Sequence, residues 1–242
     1  VDSSGQLATL LAEASEDELL ELVQEHLTAI DQAAARQAIK NSYASREVLE
    51  LLASHKTLMS RREFRRAIAE HRQCPEPLAL RLVTTLFWRD LVEIGVSMGV
   101  RPTVRRAADR ALSGRLTVMS VGERMAVARR SSFAIVSELR HDSERRVIEA
   151  LLDNPRMTEG ALVPLLASDN ARPDVLVAVI GHRRWGNRQT IRAQFCRNRR
   201  APVGRVLHEM AMLRKVDLQT LAADRRIAPA VRRRAELLLG RG

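Results

Sequence analysis

Aromatic residues are scarce in this chain, 3% of 242 residues against 45% apolar residues overall. A β-sheet core draws on aromatic and β-branched side chains in alternation, and no such alternating run is present, so a strand-based fold is excluded. Cysteine is scarcer still. Cys74 and Cys196 are the only two, far apart and without a Cys-x-x-Cys pairing, which excludes a disulfide framework and a structural zinc site. No apolar run approaches the roughly 20 residues needed to span a bilayer. The N-terminus carries no basic-then-apolar signal, so the expected location is cytoplasmic. Gly-x-Ser-x-Gly, Gly-x-Gly-x-x-Gly and Walker-type Gly-Lys-Ser/Thr stretches are also missing. No catalytic, metal-binding or cofactor-binding residue is therefore expected, and no cofactor.

Lysine is almost absent too. Of 40 basic residues only Lys40, Lys56 and Lys215 are lysines, so arginine supplies 37. The net charge of +11 favours acidic partners such as nucleic acid, anionic lipid or acidic protein surfaces. Its distribution is uneven: residues 1–60 carry 4 basic and 10 acidic side chains, and the remainder 36 and 19, giving net charges of −6 and +17.

What is abundant is leucine, alanine and valine at helical spacing. Leu7, Leu10 and Leu11, then Leu19, Leu20, Leu22, Val23, Leu27 and Ile30, mark two short amphipathic helices separated by Glu16-Asp17-Glu18. Ser60-x-x-Glu63 and Ser120-x-x-Glu123 read as capping boxes, Thr158 as a further helix start, and Pro102 and Pro229 suit first helical turns. About 15 to 17 helices of roughly 8 to 13 residues are predicted, joined by short loops.

Residues 74–112 align with 201–239 without a gap, at 11 identities in 39 positions, where about three are expected by chance. The pairs include Pro75/Pro202, Asp90-Leu91/Asp217-Leu218 and Val104-Arg105-Arg106/Val231-Arg232-Arg233. A shorter pattern recurs inside the long one: an apolar helix end, a break opening on Asn or His, then a Ser, Thr or Pro helix start. It is seen at Asn41…Ser45, Asn154…Thr158, His71…Pro75 and Asn198…Pro202. Asparagine is expected there for its tolerance of left-handed backbone. One such unit leaves an apolar face that a neighbouring unit covers, which predicts an all-α α-solenoid of stacked short helix pairs. Residues 1–32 would be acidic capping helices and 33–242 the array.

The segment Val147-Ile148-Glu149-Ala150-Leu151-Leu152 followed by Asn154-Pro155-Arg156-Met157-Thr158-Glu159 resembles the repeats of bacterial HEAT-like and leucine-rich-repeat-variant proteins. The resemblance is one of repeat type, in scattered copies over residues 34–239. It implies an α-solenoid binding scaffold with an unspecified ligand. Some leucine-rich-repeat-variant proteins carry a Cys-rich iron–sulfur segment, which two lone cysteines do not match.

Several residue groups invite chemical readings. Asp90 and Asp217 recur at matched positions before apolar helices and read as N-caps. His71 with Cys74 reads as a loop histidine and a core thiol, since zinc sites take three or four protein ligands. His141-Asp142-Ser143 reads as a helix junction. Trp88 and Trp185 invite comparison with HEAT-like DNA glycosylases, but Trp88 and Asp90 would be turned about 200° apart on a helix, and this enzyme reading ranks last. The strongest functional candidate is a basic belt: Arg183, Arg184, Arg188, Arg192, Arg197, Arg199 and Arg200 with Trp185, extended by Arg105, Arg106, Arg232 and Arg233, and by the Arg129-Arg130 and Arg145-Arg146 pairs. In that belt Ile191 and Phe195 are expected to face the core, with Arg188 and Arg192 on a separate stripe. The function expected is a non-enzymatic scaffold that binds a protein or peptide. Sequence-nonspecific nucleic-acid binding through the arginine belt is the alternative.

Overall fold

The computed structural model describes residues 3–240, and all of its regular structure is helical. The chain divides into two compact units, residues 1–117 and 118–242.

The first unit contains α1 (Ser3–Glu13), α2 (Glu16–His26), α3 (Gln32–Lys40), α4 (Arg46–Ser54), α5 (Lys56–Ser60), α6 (Arg62–Glu70), α7 (Glu76–Thr84), α8 (Trp88–Val96) and α9 (Pro102–Ser113). α1 packs on α3, α2 on α4, α4 on α6 and α7 on α9, so helices pair with their second neighbour along the chain; α8 also packs on α9. The second unit contains α10 (Val121–Arg130), α11 (Phe133–Leu139), α12 (Arg145–Leu152), α13 (Glu159–Ala167), α14 (Pro173–Gly181), α15 (Gln189–Arg197), α16 (Val203–Glu209), α17 (Lys215–Ala223) and α18 (Pro229–Leu238). Here α10 packs on α12, α12 on α14, α13 on α15, α15 on α17 and α16 on α18.

Sequence chemistry sets the helix starts. Asp31, Ser45, Ser120, Ser132 and Thr158 are N-caps, each accepting from the backbone N–H three residues on. Pro102 and Pro229 occupy first helical positions, where no N–H is needed. The expected capping box at Ser60 is not formed. Ser60 ends α5, its hydroxyl donates back to the Thr57 carbonyl, and Arg61 precedes α6 instead. Asp90 and Asp217 are not caps either: each lies at the third position of its helix, behind Phe87 and Arg214 respectively.

Six helix starts of the first unit, at residues 32, 46, 62, 76, 88 and 102, have counterparts at 159, 173, 189, 203, 215 and 229. The step is constant at 127 residues (159 − 32, 229 − 102). It covers the aligned segments 74–112 and 201–239 and extends the correspondence upstream, where Val48, Leu49 and His55 align in sequence with Val175, Leu176 and His182.

The breaks between helices carry the polar core. Asn41 is buried; its amide donates to the Leu11 and Ala14 carbonyls, and its oxygen accepts from Tyr43 N–H. Asn154 bonds Ala128 and Ser131 in the same way and accepts from Arg156 N–H; Asn198 bonds Leu166 and Ser168 and accepts from Arg200 N–H. Left-handed geometry is not the reason for asparagine, since no described residue other than glycine has a positive φ. The reason is the primary amide, which closes its own turn and satisfies carbonyls at the end of a helix about 30 residues earlier, groups that burial otherwise leaves unpaired. Where histidine replaces asparagine, as at His71 and His182, the ring nitrogen accepts the i+2 N–H, and in the His182 turn the backward donor is Arg184.

Candidate binding surfaces

The turn between α14 and α15 is built around Trp185. Its ring is buried, its indole N–H donates to the Leu152 carbonyl at 2.9 Å, and Arg184 lies over its face at 4.4 Å. The Arg184 guanidinium also donates to the Asn154 and Met157 carbonyls, and the His182 ring meets Asp153 at 3.2 Å. These contacts seat the 182–188 turn on the 152–157 turn. The 152–157 turn in turn is tied to the end of α10 through Asn154.

α15 divides the expected belt in two. Arg183, Arg184 and Arg188 lie before the helix and Arg197, Arg199 and Arg200 at its far end, nine residues later or about 13 Å at helical rise. Arg192 is not on the surface. It is buried between α15 and α16 and pairs with buried Glu209 at 3.0 Å, while Ile191 and Phe195 occupy the core as expected. Arg197 reaches buried Asp217 at 3.1 Å and Arg199 reaches Asp169 at 2.9 Å. Arg183, Arg188 and Arg200 are exposed and carry no ion pair among the described residues.

The outlying members differ from one another. Arg105 and Arg232 hold the matched position in α9 and α18, half-buried, each with a buried Nε lacking a hydrogen-bond partner; Arg106 and Arg233 are exposed. Asp90 and Asp217 also match. Asp90 is approached by Arg62 at 3.3 Å and Arg66 at 3.7 Å, and Asp217 by Arg197 and Arg214. Both carboxylates hold neighbouring helices together by charge.

The other chemical candidates take structural places. Trp88 is buried on α8 and Cys74 and Cys196 are buried thiols. Burial pushes the Cys74 thiol up to about 11 and the Cys196 thiol up to about 12. Asp142 accepts from Glu144 N–H and pairs with Arg124 at 2.7 Å, closing the junction that His141-Asp142-Ser143 marks. Among the described residues no cluster of three His, Cys, Asp or Glu side chains has the arrangement of a metal site. No described helix is long and apolar enough to cross a membrane.

Two features were not singled out from the sequence. One is Arg156, exposed and, among the described residues, without an ion pair in the turn that Asn154 anchors; aligning the breaks on their asparagines places it two residues after the anchor. The other is a groove of about 380 Å³ between α1 and α2, bounded by Leu10 and Leu22 and by Glu13, Glu18, Glu21 and Glu25. Leu10 is 55% exposed in it. The groove forms where α1, ending on Glu13, packs beside α2, which supplies Glu18, Glu21 and Glu25.

Comparison with protein-family models, with curated proteins and with solved structures gives no match to this chain.

Proposed function

We propose that the chain is a non-catalytic α-solenoid of HEAT-like helix pairs that works as a scaffold, its 1–32 helices capping a repeat array over 33–242, and that its partner is a protein segment of basic, amphipathic character. The observation that carries this reading is the α1–α2 groove. Its leucines offer an apolar floor for the non-polar side of a partner helix, while the four glutamates offer carboxylates to lysine or arginine on the flanks. The array is supported by the asparagine bridges at steps of about 30 residues and by second-neighbour packing within each unit. Potential catalytic side chains are engaged in structural contacts: Trp185 with Leu152, Asp90 and Asp217 with arginines.

Peptide-display selection against the full chain tests the reading. Enrichment of sequences with leucine and Arg/Lys at i, i+3 and i+4 spacing is expected, and it is expected to disappear with Glu13→Lys/Glu21→Lys/Glu25→Lys. Glu18 is left in place because it accepts from the Ser15 N–H at the start of α2. Selection that returns no basic-apolar pattern, or the same pattern on the charge-reversed variant, overturns the proposal.

A further inference from the structure

From the way successive turns of the second unit are stacked, we infer that Arg129, Arg130, Arg156, Arg183, Arg188 and Lys215 form one positive ridge that binds the phosphodiester backbone of a nucleic-acid duplex. The inference is independent of the α1–α2 groove, which involves none of these residues.

Hydrogen bonds establish the order of the turns. Arg129 and Arg130 close α10, and Asn154 bonds the Ala128 and Ser131 carbonyls on either side of them, which brings Arg156 alongside. Arg184 bonds the Asn154 and Met157 carbonyls and so sets Arg183 and Arg188 beside Arg156. Gln189 donates to the Met212 carbonyl at 3.1 Å, which places the turn leading into Lys215 next in the series. Packed helices lie about 8–10 Å apart, so three steps span about 24–30 Å. At about 3.4 Å per base pair this is the length of some seven to nine base pairs.

All six cations are exposed, and none makes an ion pair among the described residues. The acidic side chains of these turns are few: Asp153 is engaged by the His182 ring, Asp217 by Arg197 and Arg214, and Glu159 opens α13. The turns at the opposite helix ends contrast with this. There Arg124 meets Asp142, Arg172 meets Asp174, Arg199 meets Asp169 and Arg226 meets Asp224. Four arginines at that end are paired within the protein, and Arg146, Arg200 and Arg225 are exposed beside them, while all six cations of the ridge are left to an external anion.

Phosphate is favoured over an acidic protein by the surroundings. The turns 152–157 and 182–188 carry none of the large exposed apolar side chains, and Trp185 is in the core. A protein interface takes much of its energy from a buried apolar centre, which the middle of this ridge does not offer. Guanidinium forks match phosphate oxygens without one. The middle of the ridge has no exposed aromatic, Phe133 lying at its end beside Arg130, so the backbone is what is read there and sequence preference is small.

The test is fluorescence anisotropy of labelled DNA and RNA duplexes with the full chain between 50 and 200 mM salt. Six neutralised phosphates give a slope of about −5 in log K against log salt, an affinity loss of about a thousandfold over that range. Arg129→Ala/Arg156→Ala/Arg183→Ala is expected to reduce the loss to about fortyfold. The same three positions changed to lysine should keep the full slope. The control Arg146→Ala/Arg200→Ala/Arg225→Ala removes equal charge from the opposite turns and should leave the slope unchanged, with thermal melting confirming that all variants fold. Binding of DNA alone, RNA alone or both supports the ridge and identifies the duplex it takes. Absence of binding at 50 mM salt, equal effects of the two alanine triples, or equally tight binding of polyglutamate overturns it.

Discussion

The side-chain amide of Asn154 donates to the Ala128 carbonyl at 2.7 Å, linking the start of one helix break to the end of a helix 26 residues earlier. Asn41 and Asn198 make the same backward link, to Leu11 and Leu166. Asn154→Ala removes the amide and leaves buried carbonyls of Ala128 and Ser131 without it. The expected cost is about 2–4 kcal/mol, the sum of two lost bonds and the desolvation they offset. Urea unfolding of the folded variant measures it; a loss under half a kcal/mol would mean that solvent reaches these carbonyls.

Position 71 holds histidine where the matched position 198 holds asparagine. Burial lowers the His71 pKa below its ordinary value of 6.5, and its Nδ1 accepts from the Gln73 N–H, a bond the protonated ring cannot make. The unfolded chain therefore takes up the proton first as pH falls. Stability contributed by the neutral ring is present above pH 6.5 and declines as pH drops from there through the lower folded-state value. His71→Asn should keep the turn and remove this decline. Melting temperatures at pH 7.5 and 5.5 are the readout, and equal acid sensitivity in both proteins would contradict it.

Arg192 and Glu209 are both buried and paired at 3.0 Å, and Arg205 adds a second partner to Glu209 at 2.9 Å. Removing one member strands a charge in the interior. Glu209→Ala is expected to cost about 3–5 kcal/mol, whereas Arg192→Met/Glu209→Leu should cost far less because no buried charge is left unpaired, the Arg205 side chain being exposed. Chemical denaturation of the two variants compares them directly; a double variant less stable than the single one refutes the account.

Gly186 follows Trp185 in the turn that seats the ridge. A Cβ placed there would lie 2.0 Å from the Ile180 carbonyl oxygen and 3.0 Å from its carbon. Both are backbone atoms at the end of α14 and neither can swing aside. Gly186→Ala is therefore expected to displace Trp185 from the Leu152 carbonyl and lower stability by more than about 2 kcal/mol. Tryptophan fluorescence and melting temperature report both effects, and an unchanged spectrum with unchanged melting would show that the turn has room.

The helical class, the capping at Ser120 and Thr158, the prolines opening α9 and α18 and the correspondence of 74–112 with 201–239 were all legible in the sequence. Each depends on residues within a few positions of one another or on a direct alignment, and local backbone chemistry decides them. The asparagine breaks were legible as positions but not in their purpose, because the carbonyls they satisfy lie about 30 residues away. The basic belt was legible only as composition. Which arginines are paired depends on which carboxylates packing brings near: Glu209 meets Arg192 in the core and Asp169 meets Arg199 at the surface, while no carboxylate of the described residues pairs with Arg156 or Arg183. Sequence determined the helical class and the helix starts at Ser120, Thr158, Pro102 and Pro229, though not those after Ser60 or at Asp90 and Asp217; stacking decided which charges were spent inside the protein, because an ion pair is set by distance in space and not along the chain.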